Sequence, residues 1–400
     1  MLREIKKPNR DHARRLLQCL AVAIRPLRVE ELAEVLVVDF DDGSGIPTLK
    51  PSWRWEDQEQ ALLTSCSSLI TIVRTGDSRV VQFSHFSVKE FLTSARLVTS
   101  SQDILHYHIV LGPAHTILAQ SCLSILLRQD EDGSVEKRSP LAGYAAEHWV
   151  RHAQFEDVAS RIKGMEYIFD LDKPYFAAWR ELHDIDTDPT DAVFYQFTSL
   201  SKSGEDTPPY YAALCGFSNL VEQLIVKHPE HINATGGYYR TPAVAALAGR
   251  HFDLAQVLHR NGSSVDPQGR NGVSTLHSAT RYCDLEMVQV LLDYGVDVNA
   301  KNDWGNTPLN YALKYGHKIV DPNVVRLLLD HGADPNLQAN DGLTPLYRAS
   351  RHGKVEIVRL LVERGASIEA QDSKGRTSLD VASGEHRDEI IKLLLEHRAK

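Results

Sequence analysis

The chain has 400 residues, 42% of them apolar and 24% charged, with a formal net charge of −9. That content suits two or three packed domains and lacks the bias of a disordered chain. Acidic residues outnumber basic ones in both halves, 29 to 22 up to residue 200 and 24 to 22 beyond it, which excludes a general nucleic-acid binder. The five cysteines, Cys19, Cys66, Cys122, Cys215 and Cys283, lie far apart without a Cys-x-x-Cys pair, as expected of reduced, packed thiols in an intracellular protein. No run approaches the roughly 18 apolar residues of a membrane span. Met1-Leu-Arg-Glu-Ile-Lys-Lys is too charged for a secretory signal. The expected location is cytoplasmic.

Taken in chain order, residues 1–98 predict a small domain. An apolar stripe over His12 to Ile24 stops at Arg25-Pro26, Glu30 to Val38 forms a second amphipathic helix, and Glu56 to Ser67 a third. Leu69-Ile-Thr-Ile-Val and Val80-Val-Gln-Phe-Ser flank the turn sequence Thr75-Gly-Asp-Ser, predicting a two-stranded wing. Helix, helix, helix, wing is the winged-helix order. The third helix, however, opens with acidic residues and contains no Lys or Arg, the wrong sign for phosphate contacts. Asp39-Phe-Asp-Asp-Gly-Ser-Gly lacks the spacing of a calcium loop and the Gly-Lys-Ser/Thr ending of a phosphate cradle, so it reads as a solvated loop.

Residues 99–204 predict a helical spacer, with amphipathic helices over Ile104 to Leu127 and Leu141 to Ala153. His148 and His152 share one helix face at a spacing that suits zinc, but no third ligand accompanies them, and both read as structural. The aromatic stretch Phe169 to Trp179 reads as packing for the junction with the following domain.

Residues 205–400 are periodic. Thr207, Thr241, Ser274, Thr307, Thr344 and Thr377 recur at steps of 34, 33, 33, 37 and 33 residues. In Gly305-Asn-Thr-Pro-Leu-Asn-Tyr-Ala-Leu-Lys-Tyr-Gly, Thr307 caps a helix start, Pro308 takes the first helical position, and Gly316 reverses the chain into a second apolar helix. A period near 33 with Thr-Pro-Leu resembles the ankyrin repeat, whose units bury their apolar faces only by stacking. The predicted fold is mainly α: a solenoid of about six ankyrin repeats, preceded by a winged-helix domain and a helical spacer. The long step predicts a bulge around Lys318 to Pro322. The last copy ends at Leu393-Leu-Leu-Glu-His-Arg-Ala-Lys without polar capping, so further repeats or a partner are expected after Lys400.

A second resemblance is carried by Phe83-Ser-His-Phe-Ser-Val-Lys-Glu-Phe-Leu and Tyr144-Ala-Ala-Glu-His-Trp-Val-Arg-His-Ala. With the upstream helices, these stretches look like the region that follows the NTPase in fungal NACHT proteins with ankyrin tails, signal-transduction ATPases of the NLR-like type. The resemblance implies that His85 contacts nucleotide phosphates when such a domain is present. No Gly-x-x-x-x-Gly-Lys-Ser/Thr loop exists in this sequence, so in this chain His85 is either a partner for a separate NTPase or a simple cap between strand and helix, the latter favoured. The N-terminal segment also resembles one that carries a lipid-deacylase name, but no hydrolase constellation accompanies it.

Sorting the repeats by what stacking does not require leaves a candidate recognition face. Arg281-Tyr282, Lys314-Tyr315 and Arg351-His352 end successive first helices on the expected concave side, and Tyr238, Arg270 and Trp304 project from nearby hairpin tips. With stacked helices about 8–10 Å apart, these residues predict a ladder of cations and rings suited to an acidic or phosphorylated peptide. His277 reads as an inter-repeat hydrogen-bonding group. Gly216-Phe-Ser-Asn-Leu lacks the second glycine of a nucleophile elbow, and no zincin, kinase or dinucleotide signature is present. The sequence therefore predicts a non-catalytic module without metal or cofactor: repeats bind a protein partner, and the winged-helix region relays to a NACHT-type NTPase. A free-standing ankyrin scaffold is the alternative.

Overall fold

A computed structural model describes residues 2, 5–40, 47–66, 68–99, 102–128, 139–185, 207–237, 239–315, 320–385 and 387–398. The chain divides into two units, Met1–Asp188 and Pro189–Lys400.

In the first unit, α1 (Arg10–Val22) buries Ala13, Leu16, Leu17 and Ala21 along one stripe. It stops at Ala23, whose extended backbone leads to Arg25-Pro26, two residues before the expected end. Strand β1 (Leu27–Arg28) and helix α2 (Val29–Leu36) follow, then β2 (Val38–Asp39), β3 (Thr48–Leu49) and α3 (Gln58–Cys66). The wing is β4 (Ile70–Thr75) and β5 (Ser78–Phe83), paired antiparallel around Gly76 at φ +62°. β1 pairs with the other edge of β5, so the sheet order is β1-β5-β4. Neither β1 nor the β2–β3 pair was legible in the sequence. Two-residue strands have no period to read. Residues 41–46 of the Asp39 loop lie outside the described residues. Beneath the sheet, the fully buried Glu31 accepts from Arg25 Nη1 and Nη2 at 2.9 and 2.8 Å and from Arg28 N at 2.8 Å. Burial pushes its pKa up, but these donors outweigh burial and hold the carboxyl below its usual range.

Helices α4 (Phe86–Thr93), α5 (Ala95–Val98) and α6 (Gln102–Leu105) close this domain, and α7 (Leu111–Leu126) packs on α8 (Ala142–Ala153). The single helix expected from Ile104 to Leu127 is thus two. Pro113 has no N–H to give Ile109, so α7 starts afresh, and Ile109 N instead reaches Leu92 O at 2.9 Å. Short α9 (Val158–Arg161) and α10 (Met165–Ile168) lead to α11 (Tyr175–Leu182). Trp149, Phe169, Phe176 and Trp179 pack on one another with ring centroids 5.3–6.3 Å apart, and Trp179 Nε1 donates to Ala146 O. His152 is buried between His115 and Tyr144, with 2.8 Å contacts to His115 Nδ1 and to the Tyr144 hydroxyl.

Among its described residues, the second unit holds six helix pairs: α12 (Pro208–Leu214) with α13 (Ser218–Lys227), α14 (Pro242–Ala248) with α15 (Phe252–Arg260), and α16 (Thr275–Arg281) with α17 (Leu285–Asp293). The rest are α18 (Pro308–Tyr315) with α19 (Pro322–Asp330), α20 (Pro345–Arg351) with α21 (Val355–Glu363), and α22 (Ser378–Gly384) with α23 (Asp388–Arg398). First helices stack as α12 on α14 and as α16, α18, α20 and α22 in series. The second and third pairs are bridged by polar contacts: Arg250 pairs with Asp284 and Glu286 at 2.9 and 3.0 Å, and the Tyr294 hydroxyl donates to Phe252 O. Thr241, Ser274, Thr307, Thr344 and Thr377 each accept from the backbone N–H three residues on. His277 Nε2 donates to Asn306 O of the next repeat at 2.9 Å. Of the bulge expected around Lys318 to Pro322, residues 318 and 319 lie outside the described residues, while Asp321 caps α19 by accepting from Asn323 N at 2.8 Å.

Candidate functional site

The site is built at a hairpin tip and the ends of two first helices. Asn302 Oδ1 accepts from Trp304 N and Asn306 N, both at 3.1 Å, and Gly305 N donates to Asn302 O at 2.8 Å. Gly305 sits at φ +70°, and a Cβ there would lie 2.9 Å from Asn340 N, so a side chain is excluded on two grounds. Successive tips are bonded to one another: Asp303 N to Asn271 O and Asn340 N to Trp304 O, each at 3.0 Å. The indole of Trp304, 39% exposed, therefore projects from a fixed edge.

Lys314 Nζ lies 5.8 Å from the Trp304 ring and 5.2 Å from the Tyr315 ring. Arg281, one repeat earlier, places its guanidinium 5.0 Å from Tyr315 and 5.2 Å from Tyr282. The order Tyr282, Arg281, Tyr315, Lys314, Trp304 is thus a continuous strip of alternating rings and cations across two repeats. Beneath it, Tyr311 packs edge-on against His277 and 4.7 Å from Tyr315. Burial pushes the phenols of Tyr282 and Tyr311 up while the Arg281 charge pulls them down; the net shift is upward, and both stay neutral donors. Among the described residues no carboxylate lies within salt-bridge distance of Arg281 or Lys314. Arg250, Arg348 and Arg376 are all ion-paired.

Arg351 and His352 occupy the same position on α20, exposed and half-buried respectively, beyond the strip. Tyr238 lies outside the described residues. Arg270 opens a short 3-10 turn, Arg270–Gly272. Two features were missed by sequence reading. Tyr311 completes the floor of the strip, and Arg348, four residues after its Thr like Tyr311, is buried and bonded to Asp341 at 2.7 Å and to Asn306 Oδ1 at 3.3 Å. A repeat position that carries Ala, Ser, Tyr and Arg in turn gives no pattern to find. Nearby, the Tyr347 hydroxyl donates to Asp372 at 3.1 Å beneath Arg376. In the first unit, exposed His85 caps α4, its Nδ1 accepting from Ser87 N at 3.2 Å.

No described helix is long and apolar enough to cross a membrane. Two families match this sequence. Ankyrin repeats match three times, over residues 210–302, 243–338 and 320–400. The winged helix domain of GPI inositol-deacylase matches residues 2–102. Among curated proteins, the chain is similar to the azaphilone pigments biosynthesis cluster protein L of Monascus ruber, 30% identical over 275 residues, or 64% of this chain and 56% of that protein. It is also similar to Rabankyrin-5 of Homo sapiens, 28% identical over 127 residues, which is 31% of this chain and 11% of that protein. It is 31% identical over 105 residues to the ankyrin repeat and SAM domain-containing protein 6 of Mus musculus, 26% of this chain and 12% of that one. The chain thus spans about half of the Monascus protein's length and far less of the other two.

Proposed function

We propose that this chain, a winged-helix domain followed by an ankyrin-repeat solenoid, is a non-catalytic interaction module whose repeats hold an acidic or phosphorylated peptide along the strip from Tyr282 to Trp304. Ankyrin repeats imply protein–protein interaction; the partner's chemistry is argued from the strip. The observation that carries the reading is that Arg281 and Lys314 lie against rings on rigid helices with no carboxylate within salt-bridge distance among the described residues, whereas Arg250, Arg348 and Arg376 are ion-paired. A carboxylate or phosphate supplies the missing counter-charge, and the rings supply contact area at low entropic cost. Arg351 and His352 extend the same face by one repeat.

Binding of acidic and phosphorylated peptides by the Arg281→Glu, Lys314→Glu, Arg351→Glu variant is the test. At about 1.5–3 kcal/mol per charge-assisted contact, each reversal should weaken binding roughly tenfold or more. Unchanged affinity overturns the reading.

The regulatory part of the proposal is a cytoplasmic relay: partner binding on the repeats alters how the winged-helix region meets a NACHT-type NTPase supplied separately, with His85 on its exposed side. The likeness of residues 2–102 to a winged helix supports it. ATPase measurements on such a domain, with and without this chain and its peptide, test the relay. No effect would favour the free-standing scaffold. The cysteines suit a non-catalytic reading: burial pushes the thiols of Cys19 and Cys66 up to about 12, and those of Cys122, Cys215 and Cys283 upward as well, away from the thiolate a nucleophile needs.

A further inference from the structure

At the exit of the first helix pair, α13 ends at Lys227 and the chain passes through His228-Pro229-Glu230-His231 into a 3-10 turn, Pro229–Asn233. Pro229 holds His228 off the helical path, at φ −132° and ψ 67°, and the turn folds Glu230 and His231 back beside it. One ring nitrogen from each histidine and one carboxylate oxygen of Glu230 then lie within 4.8 Å of one another. The two imidazoles are nearly parallel, at 22°, with centroids 5.6 Å apart. His228 Nδ1 is 3.4 Å from Glu230 Oε1.

Two imidazoles and a carboxylate are the donor set of borderline divalent ions. In a tetrahedral site with bonds of about 2.0–2.1 Å, neighbouring donors stand about 3.3 Å apart, close to the His228–Glu230 spacing. A backbone N–H and then the neighbouring imidazoles hold the Glu230 carboxyl below its usual range, so it is ionised at neutral pH. A simple ion pair between a protonated His228 and Glu230 explains two of the three residues. It does not explain His231, whose Nδ1 is shielded from solvent and has no hydrogen-bond partner among the described residues.

We propose that His228, Glu230 and His231 form a three-ligand site for a divalent transition-metal ion of the zinc class, its fourth position open to water. The site is independent of the peptide-binding strip. Its structural consequence follows from what comes next in the chain: Ile232 O accepts from Ser263 Oγ, and Asn233 donates to Gly262 O and accepts from Ser264 N, all at 2.8 Å. An ion on the turn fixes the segment that clamps the first repeat to the second.

The full chain, freed of metal by chelation, is titrated with zinc at about pH 7.5 in competition with a chromophoric chelator. One equivalent should bind. His228→Ala and His231→Ala should weaken binding by more than the roughly 10- to 100-fold that losing an outer-shell partner costs, with Glu230→Gln weakening it less. His331→Ala, at an exposed histidine elsewhere, should bind as the unmodified chain does. Amide exchange over residues 228–234 should slow on zinc addition. The proposal is overturned if no zinc binds, or if the folded His228→Ala, His231→Ala double variant binds the same equivalent with the same affinity.

Discussion

Asp266 occupies the loop position held by Asn233, Asn299 and Asn336 in other repeats. Each of those asparagines donates its Nδ2 to a glycine carbonyl of the next repeat and accepts a backbone N–H two residues further on. A carboxylate has no proton to donate, and Asp266 accepts from Leu276 N at 2.8 Å instead. Burial pushes its pKa up to about 6, with the Asp297 charge adding to the shift. Because the folded value exceeds the unfolded one near 3.9, the favourable contribution is full below about pH 4 and is lost as pH rises through about 6. At pH 7 the ionised group is a burden. Asp266→Asn should therefore raise stability by about 1–2 kcal/mol at pH 7, an advantage that shrinks toward pH 4. Urea unfolding at both pH values measures it; a gap that does not narrow on acidification would exclude this account.

At the scale of single elements, the start of each first helix was the most legible feature. A Thr or Ser cap and an adjacent proline act within one turn, so their chemistry is local and the sequence suffices. Thr344 accepts from Tyr347 N at 3.2 Å, whereas Thr207 makes no such bond and its Oγ1 is buried without a partner among the described residues. Thr344→Ala should cost about 1 kcal/mol and Thr207→Ala much less, a contrast that equilibrium denaturation can read and that a purely steric role for both would abolish. What stayed illegible was settled by tertiary contact. β1 exists because β5 offers it an edge, and its two residues alternate too briefly to be read. The strip was half legible. Even spacing placed Arg281 and Lys314 on equivalent turns, but the reach of Arg281 to Tyr315 depends on how two helices stack, and the floor residue Tyr311 shares its position with buried Arg348.

The second unit as a whole is a linear stack, in which each repeat touches only its neighbours and stability is close to a sum of repeat and interface contributions. Most of its interfaces are helix on helix, which salt does not weaken. The junction between the second and third pairs leans on Arg250, whose guanidinium is held by Asp284 and Glu286 at the turn where the first and fifth repeats carry Gly216 and Gly353 and the third carries Cys283 at φ +57°. Arg250 itself adopts φ +63° there, so a strained residue and a solvent-facing ion pair coincide at one joint. Raising ionic strength shortens the screening length from about 10 Å at 0.1 M to about 3 Å at 1 M; the exposed pairs Arg364–Asp330 and Arg398–Glu369 weaken as well, but this joint, which also carries the strained Arg250, should loosen most. Amide exchange at high salt would then rise first around residues 250–252 and 284–286. Such a solenoid behaves as a short chain of two stiff segments with a salt-tuned hinge: the first two helix pairs on one side, and the pairs that carry the strip from Tyr282 to Trp304 on the other.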